Sequence, residues 1–134
     1  MSVFSDAARM HAQLRADSTA LFRALDAQNS PDVVVAFGRF RRGVESFLAA
    51  EVTAEFRALM RSHSPAVRFT TNRMLETRAA FERDFGFFCL RWSVVREPEL
   101  ESEVFRDELE KIVNEMMKQI VAEEGLLVLL ASVA

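Results

Sequence analysis

The chain has 134 residues, of which 50% are hydrophobic and 28% are charged, and its net charge is -3. This length predicts one domain over residues 1–134 that buries a core without disulfides, and the composition excludes wholesale disorder. The slightly acidic balance, with basic residues dispersed among acids, predicts no nucleic-acid partner, because phosphate binding needs a continuous basic surface.

Cysteine content and terminal segments indicate the compartment. Cys89 is the single cysteine, and its neighbours Phe87 and Phe88 indicate a core position. A lone cysteine closes no internal disulfide, which is typical of a reducing compartment. Residues 1–17 lack the apolar region of a signal peptide, and the apolar tract 126–134 is too short to span a bilayer. We therefore expect a cytoplasmic protein with no membrane partner.

Three prolines divide the chain almost evenly. Pro31, Pro65 and Pro98 each follow a polar or charged residue, and proline fits the first turn of a helix but not its interior. Four helical segments follow from this division. Alternating strand patterns and hairpin dipeptides are absent from the sequence, so the predicted fold class is all-α. Four amphipathic helices with short connections predict an up-down-up-down antiparallel four-helix bundle.

Apolar residues recur at helical spacing in every segment, which predicts one buried face per helix. The second segment is predicted to be one helix from Val33 to Leu59. Polar residues interrupt these faces, and an unpaired carboxylate removed from water costs several kcal/mol. The interrupting residues are His11 and Ser18 in the first segment, Glu51 in the second, Arg78 in the third, and Gln119 with Glu123 or Glu124 in the fourth.

Each interrupting residue also has a simpler interpretation. A histidine such as His11 on an apolar face is more often a hydrogen-bonded core or boundary residue than a ligand, and at least one of Glu123 and Glu124 is compatible with a solvated helix face. Arg78 either is buried or extends its head group to the edge of the bundle. If the helices form one bundle, Glu51 faces Glu123 or Glu124 across its middle, an arrangement that holds metals in other bundles.

Four stretches together resemble the hemerythrin-like (HHE cation-binding) domain. They are His11, Phe47-Leu48-Ala49-Ala50-Glu51, Trp92 and the segment from Gln119 to Leu127. The resemblance covers nearly the whole chain in order and spacing. It implies a four-helix bundle in which a histidine, a His-x-x-x-Glu, a His-x-x-x-His and a histidine followed by acids hold two non-haem irons.

Departures from that pattern imply a degenerate site. The resemblance places ligands at His11, at Glu51 and at Glu123 or Glu124. Phe47 and Gln119, however, replace histidines, and no histidine lies between Pro65 and Pro98. A di-iron centre needs imidazole and carboxylate ligands in sufficient number. These positions therefore imply a vestigial site with no metal or other cofactor.

Arg78 completes this interpretation. It lies on the inner face of the third segment. A guanidinium stays charged and presents a fork of donors to carboxylates. We therefore expect Arg78 to supply the positive charge that metals supply in the family, and to pair with Glu51 or Glu124.

The resulting functional expectation is a non-catalytic, metal-free hemerythrin-like bundle that acts as a binding or regulatory module or as a homo-oligomer. The apolar end 126–134 is expected to pack against a partner or a second copy. The alternative is a reduced mononuclear site in which His11, Glu51 and Glu124 hold iron, manganese or zinc and bind oxygen or a small ligand. A bundle unrelated to hemerythrin is a third possibility, because one fold hosts many functions.

Overall fold

The computed structural model describes residues 3–50, 52–93, 100 and 102–133. Within these residues the chain forms five α-helices and no β-strand, which confirms the all-α class. The helices are α1 (Val3–Asp26), α2 (Ser30–Ala49), α3 (Val52–Leu59), α4 (Pro65–Trp92) and α5 (Glu103–Val133). No helix in the described ranges has the length and apolarity needed to cross a bilayer.

Polar caps and prolines set the starts of α2 and α4. Asn29 accepts a hydrogen bond from the backbone N–H of Asp32 at 3.2 Å, and Pro31 lies in the first turn of α2. Pro65 opens α4 in the same way, behind a serine cap. In the first turn the N–H of a residue has no partner within the helix, and proline has no N–H to leave unsatisfied. The predicted helix starts at Pro31 and Pro65 are confirmed. Pro98 lies outside the described residues, and α5 begins after Ser102, which accepts from the Phe105 N–H at 3.2 Å.

The second predicted helix is wrong in one respect, because it breaks between α2 and α3. Ala50 is extended, with φ -64° and ψ 139°, and its N–H bonds to the Phe47 carbonyl at 3.3 Å. Arg78 donates a second hydrogen bond to that carbonyl at 2.5 Å. A continuing α-helix would offer the Phe47 carbonyl to the amide four residues later. The guanidinium on α4 and the Ala50 N–H thus both bind this carbonyl in the last turn of α2.

Helix contacts join α1 to α2 and α4 to α5, with further contacts between α3 and α4 and between α1 and α5. The buried faces form two apolar clusters. The larger cluster is rich in aromatic rings and includes Leu14, Phe40, Phe47, Phe81, Phe85, Phe88, Phe105, Met116 and Ile120. The smaller cluster contains Ala7, Phe56, Leu59, Met74, Leu126 and Leu127.

A layer of buried polar side chains separates the two clusters. On α4, Arg78 follows Met74 of the smaller cluster by one turn and precedes Phe81 of the larger one. On α5, Glu123 lies in the same way between Ile120 and Leu126. His11 occupies the corresponding place on α1. The interior is therefore apolar, polar and apolar in succession along the helices.

Candidate functional site

The candidate site is this polar layer, formed by His11, Arg78, Gln119 and Glu123. Each of the four side chains is buried. They lie on α1, α4 and α5, and the ring of Phe47 on α2 contacts two of them. Burial makes every unpaired polar atom in such a layer costly, so its hydrogen bonds determine its chemistry.

Arg78 and Glu123 form the central ion pair. Arg78 Nη1 donates to Glu123 Oε2 at 2.8 Å, and the two side chains are 6% and 1% exposed. The Arg78 guanidinium also lies 4.7 Å from the centre of the Phe47 ring, within the range of a cation–π interaction. Together with its bond to the Phe47 carbonyl, these contacts hold the cation on three sides. Removing one member of a buried pair of this kind costs about 3–5 kcal/mol.

Gln119 positions the carboxylate. Its Nε2 donates to Glu123 Oε2 at 3.1 Å, one helical turn away, and its Oε1 accepts from Thr77 at 2.9 Å. Burial raises the pKa of Glu123, while Arg78 and Gln119 act in the opposite direction. The other carboxylate oxygen, Oε1, is buried and has no hydrogen-bond partner among the described atoms. Both hydrogen bonds that Glu123 accepts from Arg78 and Gln119 therefore go to Oε2.

His11 lies on the α1 side of the layer. Its Nδ1 is buried without a hydrogen-bond partner among the described atoms and lies 3.7 Å from Glu124 Oε1. Arg15 donates to that same oxygen at 2.6 Å. Burial lowers the pKa of His11; Glu124 opposes this effect, whereas Arg15 and Arg78 add to it. The imidazole is therefore neutral at neutral pH.

The structure corrects the predicted partner of Arg78. Arg78 is buried and paired, rather than extended to the edge, but its carboxylate is Glu123 and not Glu124. Successive residues of an α-helix point about 100° apart. Glu123 consequently faces α4, while Glu124 faces α1, is 46% exposed and pairs with Arg15. Glu51, the other predicted partner, lies outside the described residues.

The donors of the polar layer do not fit a di-iron centre. Phe47 offers no ligand atom, and Glu123 Oε2 is already engaged by Arg78 and Gln119. The guanidinium between the helices would also repel a divalent cation. No group of three or more His, Cys, Asp or Glu within the described part of the chain is arranged to hold a metal ion.

The buried hydroxyls near the layer also lack a nucleophilic arrangement. Ser18 donates to the Arg15 carbonyl at 3.0 Å, and Thr71 donates to the Val67 carbonyl at 2.7 Å. A hydroxyl nucleophile needs an adjacent base. Both side chains instead satisfy backbone groups of their own helices, as serine and threonine often do inside helices.

Sequence reasoning missed several partners of the layer. Thr77 bonds Gln119 from the neighbouring helix, and Arg15 bonds Glu124 across 109 residues. Thr77 is exposed and lies on the polar side of α4, so the apolar pattern gave no signal for its bond to Gln119. The use of a backbone carbonyl at Phe47 leaves no trace in the sequence.

No protein-family model, curated protein or solved structure matches this chain.

Proposed function

We propose that this chain is a metal-free helical bundle of the hemerythrin-like type that acts as a non-catalytic binding or self-association module. In this proposal the four long helices α1, α2, α4 and α5 run up-down-up-down, and α3 is the redirected end of the second one. The contacts between α1 and α2 and between α4 and α5 support this arrangement, because consecutive helices of an up-down bundle are antiparallel neighbours. The contact between α1 and α5, the first and last helices, agrees with a closed bundle.

The observation that carries the proposal is the Arg78 pair. Three positions at which the resemblance implies metal ligands contact this cation or its partner. Phe47 contacts the guanidinium through its ring and its carbonyl, Glu123 binds it, and Gln119 binds Glu123. One guanidinium thus supplies the positive charge that two metals supply in the family, and stabilises the same facing helices.

Exposed apolar side chains support an interaction role. Contiguous exposed apolar side chains on a folded domain mark surfaces that contact partners, and Phe87 and Leu90 lie one turn apart on α4. Of the apolar end 126–134, Leu126 and Leu127 pack in the smaller cluster, whereas Val128 is exposed. The larger exposed apolar side chains of α4 and α5 are Phe69, Phe87, Leu90, Val104, Val121 and Val128.

Elemental analysis of protein purified without a histidine tag tests the metal-free part of the proposal. We expect far less than one equivalent of iron, manganese or zinc, because the charge of the buried Glu123 carboxylate is already balanced by Arg78. Stoichiometric metal that is lost in both Glu51→Ala and Glu124→Ala would overturn the proposal. That result would instead favour the reduced mononuclear site of His11, Glu51 and Glu124.

Light scattering coupled to size-exclusion chromatography tests the interaction part separately. A concentration series of the wild-type chain is expected to show reversible growth in mean mass. A chain that remains monomeric and also binds no protein would remove the interaction role without affecting the metal result.

A further inference from the structure

An apolar groove runs between the outer faces of α4 and α5. Its volume is about 260 Å³, and Phe88 and Ile112 form part of its lining. Phe87 stands at its edge with 65% of its surface exposed, and Leu90, one turn further along α4, is 74% exposed. A depression of this size accommodates one or two apolar side chains of a partner.

Acidic side chains from both helices line the groove. Glu108 is already engaged, because it accepts hydrogen bonds from Arg91 and Trp92. Asp84 on α4 and Glu115 on α5 both line the groove. Burial raises the pKa of Glu115, and the Asp84 carboxylate raises it further. Two carboxylates this close repel each other, so a cation brought between them is stabilising.

Arg91 and Lys111 also line the groove. Arg91 is paired with Glu108, and Lys111 is exposed and forms no ion pair within the described residues. The other cations near the acidic pair, Arg83 and Lys118, are weakly placed. Arg83 Nε lies 3.7 Å from Asp84 Oδ1, and both side chains are exposed. Lys118 opposes the upward shift in the pKa of Glu115, but it is the weakest of the four effects on that carboxyl. Exposed pairs of this kind contribute about 0–1 kcal/mol. The acidic pair therefore retains capacity for a basic partner.

The outer face of α2 has the complementary pattern. Val35, Arg39, Arg42 and Ser46 recur at intervals of four and three residues, so they lie on one face, and all four are exposed. We refer to them as the α2 ridge. Val35 is 52% exposed. Arg39 and Arg42 form no ion pair within the part of the chain that the structure describes, whereas their neighbour Arg41 binds Glu45 at 2.9 Å.

We propose that the α2 ridge of one copy docks in the α4–α5 groove of a second copy. Val35 then enters the apolar part of the groove, and Arg39 and Arg42 lie against Asp84 and Glu115. The spacing agrees, because Val35 and Arg39 are one helical turn apart, as are Phe87 and Asp84 along α4. This inference names the surfaces of the self-association role proposed above and rests on it.

The ridge and the groove are different surfaces, so a single ridge–groove contact is heterologous and continues head to tail. Two copies that form both ridge–groove contacts at once make a closed, two-fold symmetric dimer. In either case a chain with a damaged ridge still offers an intact groove, and a chain with a damaged groove still offers an intact ridge. Association between a ridge variant and a groove variant, each of which associates only weakly with itself, is therefore specific to this contact.

The test uses Arg39→Glu/Arg42→Glu and Asp84→Lys/Glu115→Lys in the full chain, followed by sedimentation equilibrium. Each double variant alone is expected to self-associate about tenfold or more weakly than wild type, because like charges then face each other. An equimolar mixture of the two variants is expected to form a complex, since one contact keeps the native charges and the other has them exchanged. Association should weaken as salt is raised.

Arg23→Glu/Arg73→Glu is the matched control, because it reverses two exposed arginines outside both surfaces. Circular dichroism verifies that all variants are folded. A wild-type chain that is monomeric at every concentration, or a mixture that does not associate, overturns the inference and leaves the metal result untouched. If the wild type stays monomeric but its groove binds a basic amphipathic peptide, the occupant is a different protein and self-docking is wrong.

Discussion

Arg78 and Glu123 meet between α4 and α5 at 2.8 Å, at the level where the larger apolar cluster ends and the smaller one begins. The same guanidinium takes the carbonyl at which α2 ends. One side chain therefore joins three helices. Its loss should affect the fold more than the loss of any exposed charge.

Arg78→Met is expected to lower the free energy of unfolding by about 3–5 kcal/mol, because Glu123 would be left buried without a counter-charge. Urea denaturation followed by circular dichroism measures this. An unchanged denaturation midpoint would show that the ion pair does not stabilise the fold.

The double variant Arg78→Met/Glu123→Leu distinguishes charge from packing. Replacing both members of a buried ion pair by apolar groups is often neutral, since neither charge is then desolvated. We expect most of the stability lost in Arg78→Met to return. A double variant as unstable as the single one would indicate that shape, rather than charge, holds the layer together.

Glu123→Gln and Glu124→Gln are the same substitution at adjacent positions, with opposite expected outcomes. Glu123→Gln leaves the buried guanidinium uncompensated and should cost about 3–5 kcal/mol. Glu124→Gln removes a half-exposed pair with Arg15 and should cost about 1 kcal/mol or less. Thermal unfolding of the two variants compares them directly. Equal losses would contradict the assignment of Glu123 as the partner of Arg78.

His11 predicts a dependence of stability on pH. Its pKa is lower in the folded chain than the ordinary 6.5. Between these two pKa values the unfolded chain binds a proton at His11 that the folded chain does not. The free energy of unfolding therefore decreases as the pH drops from about 6.5 towards the pKa of His11 in the folded chain. His11→Gln should flatten this slope. A slope as steep in His11→Gln as in the wild type would disprove the role of His11.

Three glycines offer a test of helix packing. A methyl group added at Gly86 or Gly125 meets no atom of the described residues within 4 Å beyond its own helical turn, whereas one added at Gly43 lies 3.0 Å from Asp17 Oδ2. Alanine is about 1 kcal/mol more favourable than glycine in a helix. Gly86→Ala and Gly125→Ala should therefore raise the unfolding midpoint, and Gly43→Ala should gain less because α1 lies close to it. Equal gains at all three positions would show that α1 does not constrain Gly43.

Local patterns in the sequence predicted what depends on local patterns. The capped prolines at 31 and 65 start helices because their chemistry is complete within one turn. The buried face of α4 placed Arg78 inward, since it follows Met74 and precedes Phe81 at helical spacing. These features needed no knowledge of neighbouring helices.

Two features could not be predicted because they depend on contacts between helices. Both Glu123 and Glu124 fit an apolar stripe through Ile120 and Leu127, so spacing alone does not choose between them. The Phe47 carbonyl in the last turn of α2 accepts a hydrogen bond from a guanidinium 31 residues away. A carbonyl is common to every residue, so no residue type marks it. The choice between Glu123 and Glu124, and the use of this carbonyl, thus depend on tertiary structure.

The polar layer has one more consequence, for the alignment of α4 with α5. Phenylalanine and leucine side chains interdigitate almost equally well after a slide of one turn, so an interior made only of them tolerates slippage. Such a slide would bring Arg78 opposite Leu126 or Leu127. The charges of Arg78 and Glu123 would then both be buried without a partner in the apolar interior. The single Arg78–Glu123 pair therefore fixes the axial register of α5 relative to α4.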